Sequence, residues 1–503
     1  MDQNQAYAEL ISRIREYSLL GSCVHMLGWD ERTYMPRQGS AHRAEQIALL
    51  ARLTHEMLTA PRIGELLAEV EASPLVAEKY SAAEVNVREI RRSYDRAVKL
   101  PKKLVEEIAR VTTRAQQVWQ EARQANDFLT FQPWLEKIVR LKQQEAEAVG
   151  YESVPYDALL DEYEPGATAA AITRAFADLR AELVPLVGAL MASGRKPRRD
   201  VLEREYPIQA QEAFGQAAAA VIGFDFDAGR LDVTAHPFCS GIGPGDCRLT
   251  TRYNLHHFND GFFGILHEAG HGIYDQGLPA EHFGTPMGVA VSLGIHESQS
   301  RLWENQVGRS QAFWDYFYPS ARERFSKALA DVSVEDFIFA INDVQPSYIR
   351  VEADEATYNM HIILRFELEQ ALVSGDLAPQ DVPAAWNEKF HQSFRLTPPT
   401  NALGCLQDVH WSMGGLGYFP TYTLGNMYAA QFMEQARRDL GDLDLEFRRG
   451  RFSPLKDWLR EKIHTQGQRY RAGDLCQRIT GKPLSHQPLL TYLRNKYAPL
   501  YGI

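Results

Sequence analysis

The sequence predicts a mainly helical (all-α class) fold: one large, two-lobed domain with a small β-sheet partway along the chain. Three observations carry this. Almost all of residues 5–213 repeats apolar side chains at three- and four-residue steps, as in Leu10, Ile11, Ile14, Tyr17 and Leu20. Residues 224–253 break that texture with alternating side chains and glycine-rich turns. Helical texture then returns and runs to the end, with no internal repeat and no clear linker.

Taken in order, residues 80–96, 101–125 and 133–149 read as long helices whose charges of both signs mark solvated faces. Pro165-Gly166 breaks the chain before an Ala-rich helix over 168–191. This first helical lobe ends near residue 222. Residues 223–254 carry two or three short strands around the turn Gly241-Ile242-Gly243-Pro244-Gly245. A strand edge just ahead of the next helix suits pairing with an extended peptide. From residue 255 onward come a helix over 258–274 and another over 285–307, opened by Thr285-Pro286 as cap and first position. Helices over 334–342, 353–373, 383–394, 426–440 and from 455 onward follow. Residues 398–423, rich in Gly, Pro and aromatics, read as ordered loop.

Composition excludes several roles. The 503 residues are 45% hydrophobic and 24% charged, ordinary for a globular protein. The net charge of −11, without long runs of one sign, argues against nucleic-acid or anionic-membrane partners. The five cysteines are scattered and odd in number, so neither a disulfide framework nor a Cys-type zinc site is expected. With no signal peptide in the opening residues and no bilayer-length apolar run, a cytoplasmic protein is expected.

The chemistry centres on Leu266-His267-Glu268-Ala269-Gly270-His271-Gly272, an H-E-x-x-H pattern. On a helix, His267 and His271 project from one face and can hold one Zn²⁺ at about 2.0–2.1 Å. Glu268 lies roughly 100° further round, beside the ion, where it can take a proton from water. Phe262, Phe263, Leu266, Ile273 and Tyr274 give the helix buried faces. Without an ion, the same pattern is a helix with two hydrogen-bonded histidines. A catalytic zinc needs a third protein ligand. Glu281, His282, His296 and Glu297 are the candidates. Glu297, on a second helix, completes a His₂Glu set, and its plain alternative is an ion pair with Arg301. His296 would then orient neighbouring groups.

Several further motifs stand in order: Trp29 to Pro36, His236-Pro237-Phe238, Asp246-Cys247-Arg248-Leu249-Thr250, His296-Glu297-Ser298-Gln299, Ile349 to Asp354, and Gly404 to Trp411. With H-E-x-x-H they resemble the carboxypeptidase Taq family, metallocarboxypeptidases of the gluzincin type, over most of the chain. The resemblance implies a neurolysin-like helical fold with a deep substrate groove, the small sheet beside the metal site, and commonly a homodimer. It implies broad-specificity release of single C-terminal residues from peptides, with Zn²⁺ or sometimes Co²⁺. Arg350 holds the family's position for binding the free α-carboxylate, through the paired hydrogen bonds a guanidinium offers. From spacing alone it could equally pair with Glu352 or Asp354. Related gluzincins use a histidine and a tyrosine to steady the oxyanion. Here His410 fits with Tyr422 rather than Tyr418, both of which could instead simply pack among aromatics. His236 and Tyr418 are expected to line the substrate site, while Asp246 and Arg248 form a local ion pair. Rival readings are an endo-acting or dipeptide-releasing oligopeptidase, and a silent helical binding protein with a leftover metal site.

Overall fold

Helical periodicity becomes helices almost element for element. The computed structural model describes residues 3–503. The expected helices stand as Ala82–Lys99, Lys102–Ala125, Phe128–Val149, Ala169–Ala192, Val334–Ile341, Tyr358–Ser374 and Val382–Phe394. Thr168 caps the fourth of these, its hydroxyl accepting from the Ala171 N–H at 3.3 Å. Phe128–Val149 begins earlier than its proline suggested, because Asp127 accepts from the Thr130 N–H and starts the helix upstream of Pro133. Helix Gln311–Arg324 was not anticipated; its Ser310 cap, accepting from Phe313 N–H at 3.2 Å, was a usable signal.

The chain forms two compact units, each assembled from three separate stretches. The first takes residues up to Val98, Pro197–Ile341 and Ala429–Pro483; the second takes Lys99–Lys196, Asn342–Tyr428 and Leu484–Ile503. The helices read as one N-terminal lobe are thus divided between the two. No helix among the described residues is long and apolar enough to cross a membrane.

In the first unit, helix Gln3–Thr33 buries Ala6, Leu10 and Ile14 against Ile63, Leu66, Leu67 and Val70 of Pro61–Glu71, and against Val87 and Ile90. Each large aliphatic side chain so buried contributes about 1.5–3 kcal/mol. A second core is aromatic. Phe258 and Phe262, at the start of helix Phe258–Gly277, stack at 5.2 Å, and Phe262 stacks on Phe214 at the same distance. Trp314 closes the cluster against Phe337 at 4.6 Å. One end of the H-E-x-x-H helix is therefore clamped by packing.

The sheet has three strands, β1 (Gly229–Val233), β2 (Cys239–Gly243) and β3 (Asp246–Thr251). Their order is β1-β3-β2, with β1 parallel and β2 antiparallel to β3. This corrects the idea of a free edge just ahead of the helix. That strand is β3, and its neighbours satisfy both its edges; only β1 and β2 have outer edges. Cys239 and Cys247 meet across β2 and β3 at 3.6 Å, a proximity their scatter in the sequence did not predict.

The helix expected over 285–307 is also revised. Thr285 makes no cap; its hydroxyl donates to the His282 carbonyl, and Pro286–Gly288 is a single 3₁₀ turn. The helix begins at Leu293–Arg301, capped by Ser292, and continues as π-helix over Leu302–Val307. It packs on Phe258–Gly277 at backbone contact. A Cβ on Gly270 would stand 2.6 Å from the Gln299 carbonyl oxygen and from Ser300 Cα. Glycine there lowers helix propensity by about 1 kcal/mol relative to alanine. Gly270→Ala is therefore expected to lower stability by about 1–3 kcal/mol by overpacking, despite its better propensity. Thermal or denaturant unfolding checks this, and a neutral or stabilised variant would refute the close approach.

Candidate metal centre

Helix Phe258–Gly277 sets His267 and His271 side by side, their ring centroids 5.0 Å apart. The contact at Gly270 brings Leu293–Arg301 against that face and with it Glu297. One carboxylate oxygen of Glu297 lies 3.7 Å from His267 Nε2 and 3.4 Å from His271 Nε2. Two ligand atoms bonded at about 2.0–2.1 Å to one tetrahedral ion stand about 3.3–3.4 Å apart. The donor set therefore fits a divalent ion, with one ligand atom from each residue and all three within 4.8 Å of one another.

The ion pair with Arg301 forms on one oxygen of Glu297 and leaves the other toward the imidazoles. Oε2 faces the imidazoles, while Oε1 accepts from Arg301 Nε at 2.6 Å. Burial opposes its charge, but Arg301 and His267 hold Glu297 well below the usual carboxylate range. Burial likewise opposes charge on His267, yet Glu297 and Glu304 outweigh it and raise the ring to about 9. Burial, with His296 and His267 nearby, drops His271 to about 4. The cluster favours one positive charge among its members, which a bound cation would supply in place of a proton.

Two supports escaped the sequence reading or were only half seen. Glu304 Oε2 accepts from His267 Nδ1 at 2.9 Å, so the Nε2 lone pair faces Glu297 once Nε2 gives up its proton. Burial opposes Glu304's ionisation, but Arg301, His267 and Arg309 bring it to about 2. Its signal was available: Glu297 and Glu304 are seven residues apart, two turns along one helix face. On the other imidazole, His271 Nδ1 meets His296 Nδ1 at 2.6 Å, and His296 Nε2 meets Asp275 Oδ1 at 3.0 Å. If His271 Nε2 serves as a ligand, its Nδ1–H donates to His296, whose Nε2–H donates to Asp275.

Glu268 is buried but stays out of the ion pairs that occupy Glu297 and Glu304. Burial, with the charges of Glu297 and Glu304 behind it, raises its carboxyl to about 7. It is an acid poised to exchange a proton near neutral pH.

The remaining candidates fall elsewhere. His236 is exposed in the link between β1 and β2. Asp246 and Arg248 make the expected pair, with two bonds of 2.8 and 2.7 Å, and Arg248 lies over the Trp29 ring at 4.2 Å. Arg350, His410, Tyr418 and Tyr422 belong to the second unit. Arg350 is buried and pairs with neither Glu352 nor Asp354. Its Nε and Nη2 donate to Asp408 Oδ1 at 3.0 and 2.8 Å, and its Nη1 to the Tyr358 hydroxyl at 2.8 Å. Asp354 instead accepts from Thr357 and from backbone N–H groups. Asp408 also takes Arg365 Nε at 2.7 Å, so two guanidiniums share one carboxylate and the trio keeps one net positive charge. His410 Nε2 and the Tyr422 hydroxyl are 3.3 Å apart. Burial, with Arg350 and Arg365 adding to it, lowers His410 to about 4, so the ring is neutral. Tyr422 is not in a loop: helix Pro420–Leu440 starts earlier than expected and carries it in its first turn. Tyr418 packs on Tyr163 at 5.2 Å and on Tyr422 at 5.4 Å.

The chain is similar to known proteins along its whole length. Residues 9–497 match the family described as carboxypeptidase Taq (M32) metallopeptidase. It is 50% identical over 511 residues to thermostable carboxypeptidase 1 of Thermus thermophilus, covering 100% of both chains. It is 39% identical over 497 residues to carboxypeptidase 1 of Bacillus subtilis, covering 98% of each. Among solved structures, the M32 carboxypeptidase of Deinococcus radiodurans R1 superposes with a TM-score of 0.96 at 40% identity, covering 99% of this chain and 100% of that one. Pyrococcus furiosus carboxypeptidase gives 0.95 at 35% identity, covering 98% and 99%.

Since Glu304 fixes the tautomer and aim of His267, Glu304→Ala is expected to weaken divalent-metal binding by about 10–100-fold while leaving helix content intact. Competition titration against a chromogenic chelator, beside circular dichroism, measures both. Unchanged affinity would remove Glu304 from the site.

Proposed function

The chain belongs to the carboxypeptidase Taq (M32) metallopeptidase family and is a metallocarboxypeptidase, and from that premise we propose a zinc enzyme that frees single C-terminal residues from peptides with broad specificity. One observation carries the zinc reading: two imidazole nitrogens and a carboxylate oxygen lie within 4.8 Å of one another, the oxygen 3.7 and 3.4 Å from the nitrogens, with a second carboxylate, Glu268, outside these pairs. Co²⁺ suits the same donors.

His267, His271 and Glu297 would hold the ion. When bound, it supplies a Lewis acid that acidifies water and polarises the scissile carbonyl. Glu268 takes the proton from the attacking water and later hands it to the leaving amine. Its raised affinity for a proton suits both halves of that task. Glu304 and the His296–Asp275 pair keep the two imidazoles in the tautomers their task requires. For the second unit, the proposal assigns His410 and Tyr422 to the developing oxyanion and Arg350 to the terminal carboxylate, with His236 and Tyr418 lining the substrate. The surplus positive charge of the Arg350–Asp408–Arg365 trio suits an anion. A homodimer working in the cytoplasm completes the proposal, the few scattered cysteines suiting a reducing compartment.

Two outcomes test this. Glu268→Gln keeps the volume and removes the base. It is expected to retain one ion per chain at this site and to lose about 10²–10⁴-fold in kcat. Full turnover in that variant would exclude Glu268. Mixed peptides followed by time-resolved mass spectrometry should shorten by one residue at a time from the C-terminus, stop with a chelator, and stay intact when C-terminally amidated. Internal cleavage or loss of dipeptides would favour the oligopeptidase reading instead.

A further inference from the structure

A second cluster of ligand-type side chains stands in the first unit: Cys239 on β2, Cys247 on β3 and Asp275 near the end of helix Phe258–Gly277. The two sulfurs are 3.6 Å apart, and Asp275 Oδ2 is 3.9 Å from Cys239 Sγ. One ligand atom from each lies within 4.8 Å of the others. Gly241, paired with Cys247 across the strands, makes room for the carboxylate. A Cβ there would sit 2.7 Å from Asp275 Oδ2.

Two ordinary explanations fall short. As hydrogen bonds the contacts are poor: Cys239 to Asp275 and Cys247 to the Gly272 carbonyl are both 3.9 Å, and a thiol is a weak donor. As a disulfide the pair is not joined: both are free thiols, their sulfurs 3.6 Å apart where a disulfide's stand about 2.05 Å apart. Cys239 stands opposite Leu249 and Cys247 opposite Gly241, so the two are diagonal neighbours, positions about 7–8 Å apart on a sheet face. A thiophilic ion, in contrast, fits. Two metal–sulfur bonds of about 2.3 Å at a tetrahedral angle put the sulfurs about 3.7–3.8 Å apart. A carboxylate oxygen beside both sulfurs is then a third ligand.

We propose that Cys239, Cys247 and Asp275 form a second metal site, for a d¹⁰ dication such as Zn²⁺ or Cd²⁺, with water in the fourth position. Both thiols release their protons to solvent as the ion binds. Asp275 divides its oxygens, Oδ1 to His296 and Oδ2 to the sulfurs, and His296 touches His271. The second ion therefore sits at the far end of the relay that orients a ligand of the first site.

The test is Cd²⁺ titration of the full chain, kept reduced by a phosphine. Bound metal is counted by elemental analysis, and thiolate ligation is read from the near-ultraviolet charge-transfer band. The parent protein is expected to take up two equivalents, only one of them with the band. Cys239→Ser should lose the band and one equivalent yet keep carboxypeptidase activity, and Cys23→Ser should keep the band. Glu297→Ala should lose only the bandless equivalent, which separates failure of this site from failure of the histidine site. No band in the parent, or a band that survives in Cys239→Ser, overturns the proposal. So does a chain lighter by two hydrogens from a Cys239–Cys247 disulfide that takes up no Cd²⁺ at the pair.

Discussion

The metal centre depends on two helices touching at backbone distance. Gly270 is what allows it. With no side chain there, the backbone at Gln299 and Ser300 comes against the H-E-x-x-H helix, and Glu297 is carried to within 3.4 Å of His271. Any Cβ would wedge the helices apart and take the carboxylate away from the imidazoles. The aromatic cluster around Phe258, Phe262 and Trp314 then fixes one end of the helix, so the approach is held by packing rather than by the ligands alone.

Packing of this kind creates an electrostatic problem, because it buries three acids, Glu268, Glu297 and Glu304, in one place. Each is answered differently. Glu297 and Glu304 keep their charges because Arg301 and Arg309 approach from the far side and the imidazoles from the near side. Glu268 has no arginine beside it; burial and the charges of Glu297 and Glu304 outweigh the pull of His267, and it holds its proton more tightly. Difference of environment, with residue type constant, gives the three carboxyls different affinities for a proton. In the second unit the sign is reversed. Arg350 and Arg365 are buried around a single Asp408, and the surplus charge is positive.

How far the sequence could be read varied with the range of the interaction. The H-E-x-x-H pair was legible because both histidines lie on one helix, where spacing alone fixes the face. Glu297 stands out through its chemistry and through its local alternative, Arg301; its Oε1 accepts from Arg301 and its Oε2 lies near both imidazoles. Asp408 as the partner of Arg350 was not legible, since 58 residues separate them and only folding brings them together. Gly and Pro dominate the neighbourhood of Tyr422 and point to a loop, yet helix Pro420–Leu440 starts early enough to include it. The cap at Ser292 is overshadowed in the sequence by Thr285-Pro286, a stronger local signal seven residues earlier.

By itself, then, the sequence determined the helical class, the short sheet, the paired imidazoles and the free acid between them. All of these are set by periodicity and spacing along one segment, which act over a few residues. Tertiary structure alone decided which oxygen of Glu297 faces the imidazoles, that Glu304 and His296 hold the rings, that β3 lies between its neighbours, and that Cys239 meets Cys247. Those outcomes depend on which backbones approach closely enough to touch, and contacts between distant segments leave no period in the chain.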